Sequence, residues 1–389
     1  MSIEKLVKQA YERGATDLHM ESGLPPALRL KGNIEFLEDP INPTQFREWL
    51  VKLLGPERWE YLEINKSVDL SEFISGIRCR INVYYSYRGF SLSLRLLEDR
   101  QLSIDSINLH PVFKTIVRQD HGLILVCGPT GSGKSTTLAA MVDEINSSKK
   151  CNIITIENPI EYVMKSKRSF VHQREVGVSV AGFSEGVRDA LREDPDVILV
   201  GEVRDEETAK ATLNAAETGH LVLATIHSSN VTEAITRLSS TFNKEFRQQA
   251  LSQLAGCLRA VICQRLVYLE DQKIRVPKCE ILISNTAVKS MLQSDTLRGI
   301  PDALRGGRDV GSMTLDWYQE WLDKKTTFTK PDKRKTLPSQ PQSEVINREA
   351  WKVATRTTKR KKQIVESNSD YEIDDSDDLN DIIGELEKD

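Results

Sequence analysis

The spacing of apolar residues changes period twice along this chain. Ile3, Leu6, Val7, Ala10 and Tyr11 recur at helical intervals and predict an amphipathic opening helix. Alternating runs follow. "PALRLKGNIEFL" and "IRCRINVYYSYRGFSLSLRLL" predict strands, the second a pair that reverses at Tyr87-Arg88-Gly89. These give residues 1–100 the character of a small α+β domain. From Gly122 onward short apolar runs alternate with helical patterns: "LILVCG", a helix from Lys134 to Asn146, "NIITIE", a helix from Phe183 to Glu193, "VILVGE", a helix from Glu206 to Thr218, then "LVLATIH". That order predicts an α/β fold with a parallel, doubly wound sheet over residues 101–322. The stretch from Val231 to about Leu322 reads as helical.

Beyond Lys324 the periodicity lapses. "KKTTFTKPDKRKTLPSQPQSE" is polar and contains prolines, Lys359 to Lys362 is basic, and Asp370 to Asp389 is strongly acidic, so residues 323–389 are expected to form a disordered charged tail. Leu379, Ile382, Ile383 and Leu386 nevertheless fit one face of a short helix. A docking helix and a solubilising acidic appendage both suit that composition.

Composition narrows the class. With 389 residues, 39% hydrophobic and a formal net charge of −4, the chain is globular and has no overall attraction to polyanions. Its obvious basic runs, Lys333 to Lys335 and Lys359 to Lys362, lie in the tail, so direct nucleic-acid binding is not expected. Six cysteines without a C-x-x-C pair suggest reduced thiols, neither a zinc site nor a disulfide framework. The charged start lacks a signal-peptide core, and no stretch approaches the ~18 apolar residues of a membrane span. A cytoplasmic protein that meets the membrane through a partner is the expectation.

The candidate chemistry begins at "GPTGSGKST", Gly128 to Thr136, which follows an apolar strand and opens a helix. This is the context in which G-x-x-x-x-G-K-[ST] binds a nucleoside triphosphate. Gly128, Gly131 and Gly133 let backbone N–H groups curl around phosphate oxygens, with Thr130, Ser132 and Thr136 completing the loop. Lys134 reaches the β- and γ-phosphates and Ser135 ligates Mg²⁺, so ATP with Mg²⁺ is predicted. A P-loop needs an acidic partner at a neighbouring strand end. "DVILVGEVRD" supplies Glu202 where an aspartate is usual, and Gly201 is expected to let the backbone approach the nucleotide. In "TIENPIEY", Glu157 and Glu161 are candidates for the metal shell, or else solvated loop carboxylates. Ligands of doubly wound sheets lie off the carboxyl ends of the strands, so His227 is expected on the γ-phosphate side. His220, at the far end of the same strand, reads equally as a structural histidine.

The order of P-loop, "TIENPIEY", "HQREVG", "ALREDPDVILVGEVRD" and "AAETGHLVLATIHSSN" resembles the secretion-superfamily ATPases, above all pilus retraction motors. "GATDLHMESGLPPALRLKG" resembles that family's PAS-like N-terminal domain, and "MTLDWYQEWL" its closing helix, so the resemblance covers roughly residues 1–322. It implies a PAS-like domain followed by a RecA-like P-loop domain, and a homohexameric ring with ATP between the two domains. The ring would act on an inner-membrane platform protein, with the motor peripheral to that membrane. "TIENPIEY" matches the Asp box, Gly201-Glu202 the atypical Walker B, and Gly219 to His227 the His box. Arginines of the N-terminal strands reach the phosphates in that family, which makes Arg80, Arg88 and Arg95 the candidates. Read without the resemblance, they form the wet face of a hairpin.

Three departures stand out. Asn158 replaces a frequent aspartate, "AVKSMLQSDTLRGI" matches the retraction signature AIRSEG only loosely, and the tail has no counterpart. Retraction and assembly both stay open on that ground. A short N-terminal region and the absence of a tetracysteine module speak against a type II secretion or pilus-extension enzyme. A Dot/Icm-like type IV secretion or conjugation ATPase is the near alternative. A nucleic-acid translocase would want a basic, aromatic-laced channel, and a non-hydrolysing scaffold a broken Lys134 or Glu202.

Overall fold

The computed structural model describes residues 2–30, 32–97 and 102–330. The tail from residue 331, including the Leu379 to Leu386 pattern, lies outside the described residues.

The first layer opens with helix α1 (Ile3–Glu12), which buries Ile3, Leu6, Val7 and Ala10 as their spacing predicts. Strands β1 (Asp17–Glu21), β2 (Ala27–Leu30) and β3 (Asn33–Phe36) lead into α2 (Pro43–Asn65), kinked at Gly55 just before Pro56. Strands β4 (Ser67–Ile74), β5 (Ile77–Ser86) and β6 (Gly89–Leu96) complete an antiparallel sheet of order β3-β2-β1-β6-β5-β4. Ser86 pairs with Gly89, so Tyr87 and Arg88 form the two-residue turn between β5 and β6. Cys79, Ile81, Val83, Leu92 and Leu94 fill the core on one face, and the alternation leaves Arg78, Arg80 and Arg95 on the other.

The second layer starts with α3 (Val112–Ile116), β7 (Gly122–Cys127), α4 (Lys134–Ser148), β8 (Asn152–Glu157) and β9 (Phe170–Glu175). It continues through α5 (Phe183–Ala190), β10 (Val197–Val200), α6 (Glu206–Glu217), β11 (Leu221–Ile226), α7 (Val231–Ser240) and α8 (Lys244–Cys257). Strands β7, β10 and β11 are buried at every position, because α3 and α4 cover one face of the sheet and α5 to α8 the other.

The helical reading of Val231 to Leu322 is corrected here. After α8 the chain forms β12 (Leu258–Leu269) and β13 (Ile274–Ile283) before returning to α9 (Thr286–Gln293), α10 (Ile300–Gly306) and α11 (Leu315–Lys324). The sheet order is β13-β12-β7-β11-β10-β8-β9, parallel except for the antiparallel edge strand β13. The first half of β12 is almost wholly buried, so it shows no alternation, and no glycine or proline separates it from α8. Strand β9 was likewise not anticipated. The chain stays attached past Leu322: Asn108 and Thr329 exchange hydrogen bonds of 2.8 and 2.9 Å. Among the described residues no helix is long and apolar enough to cross a membrane.

Candidate functional site

The P-loop joins β7 to α4. Gly131 and Gly133 have φ of 78° and 87°, in the left-handed region that favours glycine. Gly133 is the N-cap of α4 and offers no side-chain cap, so the first-turn N–H groups are left for a ligand. The Ser132 Oγ is buried without a hydrogen-bond partner. Uncapped donors beside an orphaned hydroxyl suit a phosphate. Lys134 Nζ donates to Gly128 O at 2.9 Å and Pro129 O at 3.2 Å. Burial lowers its pKa, opposed by the charge of Glu202. Thr130 and Ser135 lie exposed at the rim, and Thr136 Oγ1 sits 2.9 Å from the Tyr162 hydroxyl.

Glu202, just past β10, is held from both sides. Arg204 Nη2 donates to its Oε2 at 2.6 Å, and His227 Nε2 lies 3.1 Å from its Oε1. The His227 ring thus sits beside the Glu202 carboxylate. Burial, with Lys134 nearby, pushes the His227 pKa below the ordinary histidine value, which keeps the ring neutral at pH 7. Glu157 ends β8, where Thr155 Oγ1 and Gln173 Nε2 donate to its Oε1 at 2.7 and 3.0 Å. Burial raises its pKa against these bonds, and Glu161 adds to the rise. Glu161 also acts electrostatically on Lys134. The fold thus gathers Lys134, Glu157, Glu161, Glu202 and His227 at the carboxyl ends of neighbouring strands.

Two residues of the sequence reading gain a structural account, His220 in keeping with its reading as a structural histidine. A Cβ on Gly201 would lie 3.0 Å from Ile156 O and 3.3 Å from the Phe183 ring, so the glycine admits the close approach of the neighbouring strand and helix. His220 belongs to the turn after α6, where its Nδ1 donates to Ala215 O at 3.0 Å.

The hairpin arginines stand apart from this cluster. Arg95 pairs with Asp17 at 2.9 Å, Arg80 lies directly across from Arg95, and Arg88 is exposed in the turn. Among the described residues Arg80 and Arg88 make no ion pair.

Comparison with known proteins places these features. The sequence profile of the type II/IV secretion system protein family matches residues 65–305. The type IV pilus retraction ATPase PilT of Pseudomonas aeruginosa is 38% identical over 339 residues, which cover 86% of this chain and 97% of that protein. The chain belongs to the type II/IV secretion ATPase family. A crystal structure of the pilus retraction motor PilT with bound ADP matches with a TM-score of 0.73 and 38% identity, over 86% of this chain and 99% of that one. The Legionella pneumophila ATPase DotB matches with a TM-score of 0.66 and 25% identity, over 83% of this chain and 95% of its own.

In this secretion ATPase the sequence reading missed Arg78 and Arg204. Arg78 sits on the polar face of β5 but is buried against the second sheet, with Nη2 3.7 Å from Glu175 Oε2. Burial lowers its pKa, while the charges of Glu175 and Glu157 support its protonation. Only the contact between the two sheets distinguishes Arg78 from its neighbours, so no local pattern reveals it. Arg204 was visible in "GEVRD", where its spacing from Glu202 was the available signal.

Proposed function

We propose that this secretion ATPase is a homohexameric motor that hydrolyses ATP to drive type IV pilus retraction through an inner-membrane platform protein. One observation carries the reading: Lys134, Glu202 and His227 share an uncapped P-loop whose first-turn donors await an anion. Lys134 leaves its loop carbonyls to bind the β- and γ-phosphates. Glu202, held by His227 and Arg204, orients the attacking water and takes up its proton. The oxygens of Ser135, Glu157 and Glu202 are the hard donors that Mg²⁺ prefers, and Glu161 adds charge to its outer shell. When bound, Mg²⁺ neutralises charge on the phosphate oxygens. Arg80, Arg88 and Arg95 complete the site of an adjacent subunit, where one such arginine can be worth about 10³ to 10⁵ in rate. The similarity to PilT over nearly its whole length supports retraction over a Dot/Icm-like role, for which the DotB match is weaker.

The test is Lys134→Ala in purified protein. Mg²⁺-dependent ATP turnover should fall to a small fraction of wild type with an unchanged circular dichroism spectrum, and turnover at the wild-type rate would remove the assignment.

A further inference from the structure

The nucleotide site includes a residue that no P-loop motif contains. Gln264 lies on β12 and is 1% exposed. Its Nε2 donates to Ser132 O at 2.6 Å, and its Oε1 accepts from Thr137 Oγ1 at 2.7 Å. Both partners belong to the P-loop and the first turn of α4. The same residue touches the loop at two glycines: a Cβ on Gly128 would lie 2.3 Å from Gln264 O, and one on Gly133 would lie 3.0 Å from Nε2. A core strand position costs a glutamine desolvation and more side-chain entropy than it costs an aliphatic residue. Here the P-loop side bonds both ends of the amide.

We infer that Gln264 is a positioning residue that sets the direction of the P-loop peptide between Ser132 and Gly133, and with it the binding of the nucleotide's phosphates. The inference rests on the P-loop being the nucleotide site. In a trans peptide the C=O and the following N–H point in opposite directions. Holding the Ser132 carbonyl on Gln264 therefore aims the Gly133 N–H the other way, away from the sheet and into the phosphate cradle. The Thr137 hydroxyl completes the device. By donating to Oε1 it fixes which end of the amide faces Ser132, so the Nε2 donor and not the oxygen meets that carbonyl. Without this pairing the peptide is free to turn, and its carbonyl would oppose a phosphate oxygen where a donor is needed.

The experiment is titration of the purified full chain with a fluorescent N-methylanthraniloyl-ADP in Mg²⁺, alongside thermal unfolding. Binding by wild type and its loss in Lys134→Ala test the nucleotide site itself, separately from Gln264. Gln264→Met keeps length and apolar packing but removes both polar ends, and its affinity should fall about tenfold or more. Leu50→Ala, a core truncation in α2, serves as the control, lowering the unfolding temperature while leaving affinity near wild type. Gln264→Glu adds a signature that packing alone does not produce: affinity should be weak at pH 8 and recover as pH falls, because a protonated carboxyl regains a donor for the Ser132 carbonyl. If Gln264→Met does not fold, Thr137→Val, which leaves the amide present but unoriented, should still weaken binding several-fold. Wild-type affinity in Gln264→Met, or in Thr137→Val should the former not fold, would overturn the inference.

Discussion

Burial pushes the His110 pKa down to about 4, and the ring's surroundings explain which form the fold needs. Its Nδ1 accepts the Val112 N–H at 3.1 Å, its ring packs against the Trp321 ring in a T-shaped contact with centroids 4.7 Å apart, and Lys325 opposes a second positive charge. Protonation would remove the acceptor. In the unfolded chain the ring titrates near 6.5, so below that pH the unfolded state binds a proton that the folded state refuses until about 4. Stability is thus full above about pH 7, declines as pH falls from about 6.5 to about 4, and receives no further loss from this group below. His110→Asn retains a neutral acceptor, and urea unfolding across that range should show a shallower decline than in wild type. Equal slopes would exclude His110. Sequence made the chemistry of Lys134 and Glu202 legible because each belongs to a local motif. The surroundings of His110 come from α11, more than 200 residues away, and no local pattern carries them.

Strand spacing limits what the second sheet tolerates. The Gly201 N–H donates to Ile156 O at 2.8 Å, and the side-chain position at residue 201 is already filled by β8 and α5. Gly201→Ala should cost about 1–3 kcal/mol in urea unfolding through overpacking. It should also displace the adjacent Glu202, so that ATP turnover falls severalfold even where the variant is fully folded. Normal values of both would show that β8 and β10 can separate freely. The elements that sequence disclosed, α4, β8, β10 and β11 among them, have clear periods and separate turns. The β12–β13 hairpin had neither: burial on both faces erased the alternation of β12, and Pro277 argues against a strand until β13 is seen to be an edge.

Across the first sheet Arg29, Asp17, Arg95 and Arg80 sit side by side on neighbouring strands, one acid among three arginines. Arg29 and Arg95 share Asp17 at 3.9 and 2.9 Å, which leaves Arg80 for a charge outside this face. If neighbouring subunits share each site, Arg80→Ala and Glu202→Gln should each be nearly inactive alone. Mixed, they should regain part of the wild-type turnover wherever an intact arginine meets an intact Glu202. Oligomer size measured in each mixture separates sharing from failed assembly, and no recovery in correctly assembled mixtures would assign the site to a single subunit. The passage from α8 to β12 has a consequence of its own. Cys257 ends the helix and Leu258 begins the strand, with no residue of slack between them, and Gln264 continues the connection to the P-loop. A taut join cannot absorb displacement locally. A shift of α8, whose outer side exposes Phe246 at 44%, therefore carries the start of β12 and its Gln264 strand along with it.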